Sequence, residues 1–361
     1  MSSKILIDSE EFWPYLEADI AAAKKSVYVQ AMTFDADKAG RQVAEALIQA
    51  KAQDRRALVD TVSQYIISDR FVYAPRHFLD QNLRKECRDT RRLVGELRRQ
   101  GVHVRMSNPY GPLWIHFLAR NHKKLAVIDG QIAYIGGINF SDHNFSWHDM
   151  MLRLEDREVA GFLEKDFLFT WKGRNQFASK SFKNMEIWIG DGRSNPQMFK
   201  AIFEIIRGAE KDIFIESTYF SLPFFDVLRT IRSPRPRITL LTSAVNNWAP
   251  MRNYIPWEAR RSGIKLRLYP GRLTHLKAIL ADDRHLIIGS SNFEFFSYAL
   301  YQEIVAIIHD PAVISDFREK VMIPDLKKSV PHEGAVHPVR AFVRSLQFRL
   351  LAKLSRKLSF L

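Results

Sequence analysis

An α/β fold made of two similar halves, each an α/β/α arrangement around a mixed sheet, is predicted by three features of the 361-residue sequence. Segments repeat along it, each repeat leads an amphipathic helix pattern into an alternating apolar strand, and 46% of the residues are hydrophobic, enough for a substantial core. The stretch 23–34, AKKSVYVQAMTF, resembles 209–220, AEKDIFIESTYF, 186 positions on. The stretch 121–140, NHKKLAVIDGQIAYIGGINF, matches 274–293, THLKAILADDRHLIIGSSNF, without a gap at an offset of 153. The 33-residue difference is expected as an insertion in the first half near 61–94, running into QNLRKECRDTRRLVGELRRQ, which reads as a charged helix. Each half then orders as helix, strand, helix (38–52 in the first), strand, and paired strands around the repeated motif. The expected organisation is a first half at 1–171, a connection rich in Gly, Asn, Ser and Pro at 172–196, a second half at 197–326, and a basic amphipathic tail at 327–361. Duplicated halves pair about a pseudo-twofold axis, so chemistry is expected at their seam.

Composition narrows the partner. There are 54 Lys and Arg against 40 Asp and Glu, a formal charge of +14, which points to nucleic acid or an acidic membrane. The tail carries half of that excess, with eight basic residues against Glu333 alone. One cysteine, Cys87, excludes an intrachain disulfide and a cysteine-rich zinc site. The start, MSSKILIDSEEFW, lacks a signal-peptide pattern, and no run of eighteen apolar residues occurs, so the chain is expected to be neither secreted by a standard signal nor membrane-spanning.

The repeated polar element is His-x-Lys-x-x-x-x-Asp: His122, Lys124 and Asp129, then His275, Lys277 and Asp282. On a strand, positions i and i+2 face one way, so each His and Lys can point into one cleft while Leu125, Val127, Ala278 and Leu280 fill the interior. A neutral imidazole can attack phosphorus, and an ammonium can neutralise phosphate oxygens. Asp129 and Asp282 lie an odd number of positions from their His, at a turn, and read as structural. Fifteen residues beyond each Lys stands Asn139 or Asn292, an amide donor suited to a phosphate oxygen, inside IGGIN and IGSSN. Asp149 and Glu303 follow at nearly equal spacing, and either carboxylate could fix the tautomer of a catalytic His. A lone HxK is commonly a structural His beside a surface Lys. Recurrence of the whole constellation argues for chemistry, because a duplicated fold keeps apolar positions without requiring polar ones to match.

These residues resemble the phospholipase D superfamily, whose signature is two copies of HxKxxxxD, each followed by Gly-Gly or Gly-Ser and an Asn. The resemblance covers roughly 5–310 and implies a two-domain α/β/α fold with a two-step transfer that needs no metal and no cofactor. It makes one His the nucleophile of a phosphohistidine intermediate and the other the acid and base: His122 attacks, His275 is the acid/base, and Lys124, Lys277, Asn139 and Asn292 hold the phosphodiester. FDADKAGRQVAEALIQA, WHDMMLRLED, GSSNFE and QEIVAIIHD look most like bacterial cardiolipin synthases and related phosphatidyltransferases. Two departures stand out: some of that group carry N-terminal membrane helices, and Phe296 stands where an Arg is frequent.

In the tail, Val339, Phe342, Val343, Leu346, Leu350, Leu354 and Leu358 fall on one helical stripe, with Arg340, Arg344, Arg349, Lys353, Arg356 and Lys357 largely elsewhere. A helix of this kind suits an anionic bilayer surface; the plainer reading docks it on the protein's own body. The remaining histidines, His103, His116, His143, His148, His285 and His309, have no metal-site spacing. The expected function is phosphatidyl transfer, cardiolipin synthase-like, from an anionic phospholipid such as phosphatidylglycerol, at the cytoplasmic side of the membrane. A phospholipase D-type hydrolase or a nuclease-type phosphodiesterase is the alternative, and the amphipathic tail favours the lipid over nucleic acid.

Overall fold

The computed structural model describes residues 2–114, 116–232 and 234–358, apart from the side chains of 113 and 358. The chain forms two units, Met1–Gln176 and Phe177–Leu361. The first runs β1 (Ser2–Ile7), α1 (Asp8–Ala22), β2 (Ser26–Ala31), α2 (Lys38–Gln49) and β3 (Asp54–Asp60), followed by a small hairpin of β4 (Ile66–Ile67) and β5 (Arg70–Phe71). It continues with α3 (Gln81–Arg99), β6 (His103–Ser107), β7 (Leu125–Ile128), β8 (Ile132–Gly136), α4 (Asp142–Phe145), β9 (Met150–Glu155) and α5 (Arg157–Trp171). The second comprises β10 (Ala178–Phe182), β11 (Met185–Asp191), α6 (Asn195–Gly208), β12 (Asp212–Ser217), α7 (Phe224–Arg229), β13 (Arg237–Ser243), α8 (Met251–Arg261) and β14 (Lys265–Tyr269). After it come β15 (Lys277–Ala281), β16 (His285–Gly289), α9 (Phe295–Ala299), β17 (Gln302–Ile308), α10 (Pro311–Phe317), α11 (Ile323–Lys328), β18 (Val330–Pro331) and α12 (Pro338–Leu358).

The sheet orders make the duplication explicit. The first sheet is β1-β9-β8-β7-β2-β3-β6, and the second contains the same path as β17-β16-β15-β12-β13-β14. In both, the three strands at one end are parallel and the motif strands are antiparallel. All six residues of β2 are buried, as a central strand covered by helices on both faces requires. Helix α2 packs Ala39, Val43, Ala44 and Leu47 inward at helical spacing and starts at Asp37, whose carboxylate accepts from the Gly40 amide.

Helix α3 is charged on its outer side: it buries Leu83, Cys87, Thr90, Leu93, Val94 and Leu97 along one face, leaves its Arg and Lys outside, and links parallel β3 and β6 as α8 links β13 and β14. Burial pushes the Cys87 thiol up to about 11, far from a reactive thiolate. The stretch 172–196 is more than a connection. It holds the hairpin β10–β11, and β11 joins the sheet edge along β17. The reason lies in MEIWIGD, where Met185, Ile187 and Ile189 alternate inward, a period hidden by the turn-forming residues on either side.

Candidate active site

Each motif His precedes its strand rather than lying within it: His122 stands three residues ahead of β7 and His275 two residues ahead of β15. His122 and His275 are each 5% exposed, and Lys124 and Lys277 are buried. The Lys124 Nζ donates to the carbonyl oxygen of His122 at 2.8 Å, and the Lys277 Nζ donates in the same way to that of His275. One of three ammonium donors is thereby used to fix each lysine beside its own histidine. The edge of the Tyr219 ring lies 6.1 Å, centroid to centroid, from the His275 imidazole.

The residue before each His is pinned to the neighbouring strand. Gln30 on β2 donates to the Asn121 side chain at 2.8 Å, and the Thr274 hydroxyl donates to Glu216 on β12 at 2.5 Å. Gln30 and Glu216 occupy equivalent places in the repeated segments, a polar residue in an apolar strand, which is the signal by which sequence reading could have found them. The first unit adds an ion pair. Asp60, at the end of β3, accepts from Arg120 at 2.9 Å and from the Asn121 amide at 2.7 Å. Burial pushes the Asp60 carboxyl up to about 6, with the Arg120 charge drawing it back. Lys123 points away from His122 and donates to both oxygens of Asp166 on α5, at 2.8 and 2.7 Å. Its counterpart in the second unit is Leu276, so the ion pair answers to local packing in the first unit.

Asp129 and Asp282 face away from the motif pair, at turns with φ of 53° in both. Asp129 accepts from the amides of Lys24, Lys25 and Ser26, and Asp282 from those of Glu210, Lys211 and Asp212. Burial would raise both carboxyls, but these amides outweigh it and hold each below the usual range.

The glycines after the motif make room. A Cβ on Gly137 would lie 2.2 Å from Asp149 Oδ1, and one on Gly136 would lie 2.3 Å from the Met150 carbonyl oxygen. Asp149 is buried and accepts from the Met150 amide at 2.8 Å. In the second unit Glu303, fully buried, accepts from the hydroxyls of Ser290 and Ser297, the latter at 2.8 Å. The Asn139 carbonyl holds the loop after β2 through the Met32 and Thr33 amides, and its Nδ2 donates to Asn144 at 2.9 Å. One of its two N–H groups is therefore engaged within the unit. Asn292 is buried at the matching position.

The tail helix does two things at once. Ala341, Ser345, Phe348, Ala352 and Ser355 are buried on one face of α12. There Phe348 stacks on Tyr254 of α8 at 4.2 Å between centroids, and Ser345 donates to Glu258 at 2.5 Å. The other face leaves Phe342 58% and Leu346 60% exposed, with Val339, Val343, Leu350 and Leu354 beside them. Of the tail bases, Arg349 lies 3.8 Å from Asp226 and Arg356 sits over the Tyr298 ring, both turned to the protein. The side chain of Leu358 and residues 359–361 lie outside the described residues. Among the described residues, no helix is long and apolar enough to cross a membrane.

A family model described as cardiolipin synthase, PLD-like domain, matches residues 16–171 and 202–322, spanning both motif copies. The chain belongs to this cardiolipin synthase-like family. Cardiolipin synthase 1 of Bacillus cereus is 23% identical over 395 residues, covering 99% of this chain and 72% of that protein. The major cardiolipin synthase ClsA of Bacillus subtilis is 24% identical over 388 residues, covering 97% and 75%. The crystal structure of a phosphatidylserine synthase from Haemophilus influenzae shares the fold, with a TM-score of 0.72 at 16% identity over 98% of this chain and 94% of that one. A polyphosphate kinase from Porphyromonas gingivalis also shares it, with a TM-score of 0.60 at 13% identity, covering 99% of this chain and 53% of that one. As a cardiolipin synthase-like member, the chain is a phospholipase D superfamily enzyme of the phosphatidyltransferase kind.

Proposed function

We propose that this enzyme joins two anionic phospholipids of the phosphatidylglycerol type, moving a phosphatidyl group from one to a hydroxyl of the other. The observation that carries this reading is the doubled His–Lys pair. Both copies are buried to the same degree, with each ammonium tied to its own histidine's carbonyl. In the first step a neutral ring nitrogen of His122 attacks the donor phosphorus, and the bond from phosphorus to the glycerol headgroup oxygen breaks as His275 gives that oxygen its proton. In the second step His275 takes the proton of the acceptor hydroxyl, whose oxygen displaces His122 from phosphorus. Two molecules of phosphatidylglycerol give one cardiolipin and one glycerol, and the enzyme is regenerated.

Lys124 and Lys277 neutralise the non-bridging oxygens, with Asn139 and Asn292 as neutral donors. Asp149 and Glu303 orient and charge-stabilise the imidazoles. Burial of the motif histidines and lysines strengthens each of these interactions. The exposed stripe of α12 lies on the cytoplasmic leaflet as a peripheral anchor, supported by Phe342 and Leu346 standing in solvent beside a net positive tail.

Purified protein is incubated with phosphatidylglycerol vesicles and the products are read by mass spectrometry. Cardiolipin and glycerol in equal amounts are expected. Phosphatidic acid without cardiolipin would make the enzyme a hydrolase.

A further inference from the structure

One acidic cavity of the first unit is unexplained by the chemistry above. It measures about 280 Å³ and lies between the loop after β2, helix α3 and the start of α4. Five carboxylates line it, Asp35, Asp37, Glu86, Asp89 and Asp142, and neither Lys nor Arg is among its described lining residues. That is unusual in a chain of net charge +14. Most of the five have work elsewhere. Asp37 and Asp142 cap backbone amides of each other's segments, Glu86 pairs with Arg70 at 3.1 Å, and Asp89 pairs with Arg92 at 3.1 Å.

Asp35 differs. It is 3% exposed; its carboxyl accepts from the Ser68 amide, while its Oδ1 is buried without a hydrogen-bond partner. Burial pushes its carboxyl well above the ordinary range, and the nearby charges of Asp37 and Glu86 add to the shift. An orphaned buried acceptor is costly, and the fold does not demand it. The duplication supplies an internal control: where the first unit has Asp35, Asp37 and Asp142, the matching positions of the second are Ser221, Pro223 and Phe295. Both units build the same loop contact there, Phe34 with Phe140 and Phe220 with Phe293.

We propose that this cavity binds a small organic ammonium, a primary amine on a short carbon chain, with Asp35 accepting its N–H at the floor and the other acids supplying a negative rim. Charge-assisted donation to a buried carboxylate is among the stronger hydrogen bonds. The volume is that of about nine waters, too large for a bare ion. No three of these acids bring carboxylate oxygens within 4.8 Å of one another among the described residues, so they do not converge on a metal. Ile67 and Ala36 in the wall give a carbon chain something to bury against. The ammonium can come from a free amino alcohol or from a lipid headgroup. The inference concerns binding and stands apart from the transfer reaction.

The test is calorimetric titration of the full chain with ethanolamine hydrochloride, with magnesium chloride in parallel. Saturable ethanolamine binding is expected, weakened about tenfold or more in Asp35→Asn, the loss of roughly one charge-assisted bond. The melting temperature of Asp35→Asn should equal or exceed the parent's, since the amide cannot ionise and so escapes the cost of forming a charge in a buried, acidic surrounding. Should that variant fail to fold, Glu86→Gln with Asp89→Asn on the rim must weaken binding severalfold. Vesicles of phosphatidylglycerol with and without phosphatidylethanolamine identify the source: a preference for the mixed vesicle that Asp35→Asn abolishes indicates a headgroup, and ethanolamine binding without that preference indicates the free amine. Absence of ethanolamine binding, equal binding by Asp35→Asn, or binding of magnesium alone would overturn the proposal.

Discussion

The hydroxyl of Ser290 donates to the carboxylate of Glu303, and the corresponding place in the first unit is Gly137, against which the shorter unit-one acid Asp149 rests directly. The two halves thus seat their downstream acids in different ways, one by a hydrogen bond and the other by an absent Cβ. Gly137→Ala should destabilise the fold by about 2–4 kcal/mol, because the new methyl would meet a buried carboxylate rather than a yielding side chain. Ser290→Ala should cost about 1–3 kcal/mol by taking one donor from a buried charge. Chemical denaturation of both variants checks the order.

Asp149→Asn and Glu303→Gln should each lower kcat by at least about a hundredfold while the protein stays folded. The amide keeps the shape and loses the charge proposed to stabilise an imidazolium. Steady-state kinetics with circular dichroism of each variant decides; near-normal turnover in either would remove that acid from the mechanism.

Stability should have two opposite pH limbs. Glu294, the buried N-cap of α9, is pushed up to about 7 by burial, and Asp60 to about 6. Folded-state values above the unfolded ones mean that the folded protein holds more protons, so their contribution is complete below about pH 4 and is lost as pH rises toward 7. Asp129 and Asp282, held low by backbone amides, contribute above about pH 4 and lose that as pH falls. Melting temperature should therefore peak between these limbs, and Glu294→Gln should flatten the upper one.

Helix α12 calls for point substitutions instead of deletion. Removing 339–361 would uncover Tyr254 and Phe295, which pack on Phe348. Leu346→Glu with Leu350→Glu changes only the exposed stripe. It should lower affinity for phosphatidylglycerol vesicles by at least about tenfold, since each leucine withdrawn from lipid forfeits about 1.5–3 kcal/mol. The melting temperature should stay within a degree or two, and turnover of a short soluble phosphodiester should be unchanged. Vesicle binding equal to the parent's would show that the stripe serves something other than lipid.

Much of this was legible beforehand, for identifiable reasons. The paired motifs and the duplicated helix and strand patterns depend on local periodicity, and the matching sheet orders follow from it. The β10–β11 hairpin was hidden because Gly, Asn and Pro around it outweigh its short alternation. The tail stripe was visible, but the second face that docks on α8 was not, because Ala341, Ser345 and Ala352 are small and only Phe348 marks it. Asp60 and Arg120 lie 60 residues apart, and no local pattern announces such a pair.

The central claim is that His122 carries the transferred group while His275 moves the protons. His275→Ala is mixed with a p-nitrophenyl phosphodiester, whose leaving group needs no acid, and the alkaline-quenched protein is digested for mass spectrometry. A burst of one p-nitrophenol per enzyme and a phosphoryl adduct on the peptide containing His122 are expected, because the base needed for the second step is missing. An adduct on the His275 peptide of His122→Ala, with none on His122 in the reciprocal variant, would contradict it.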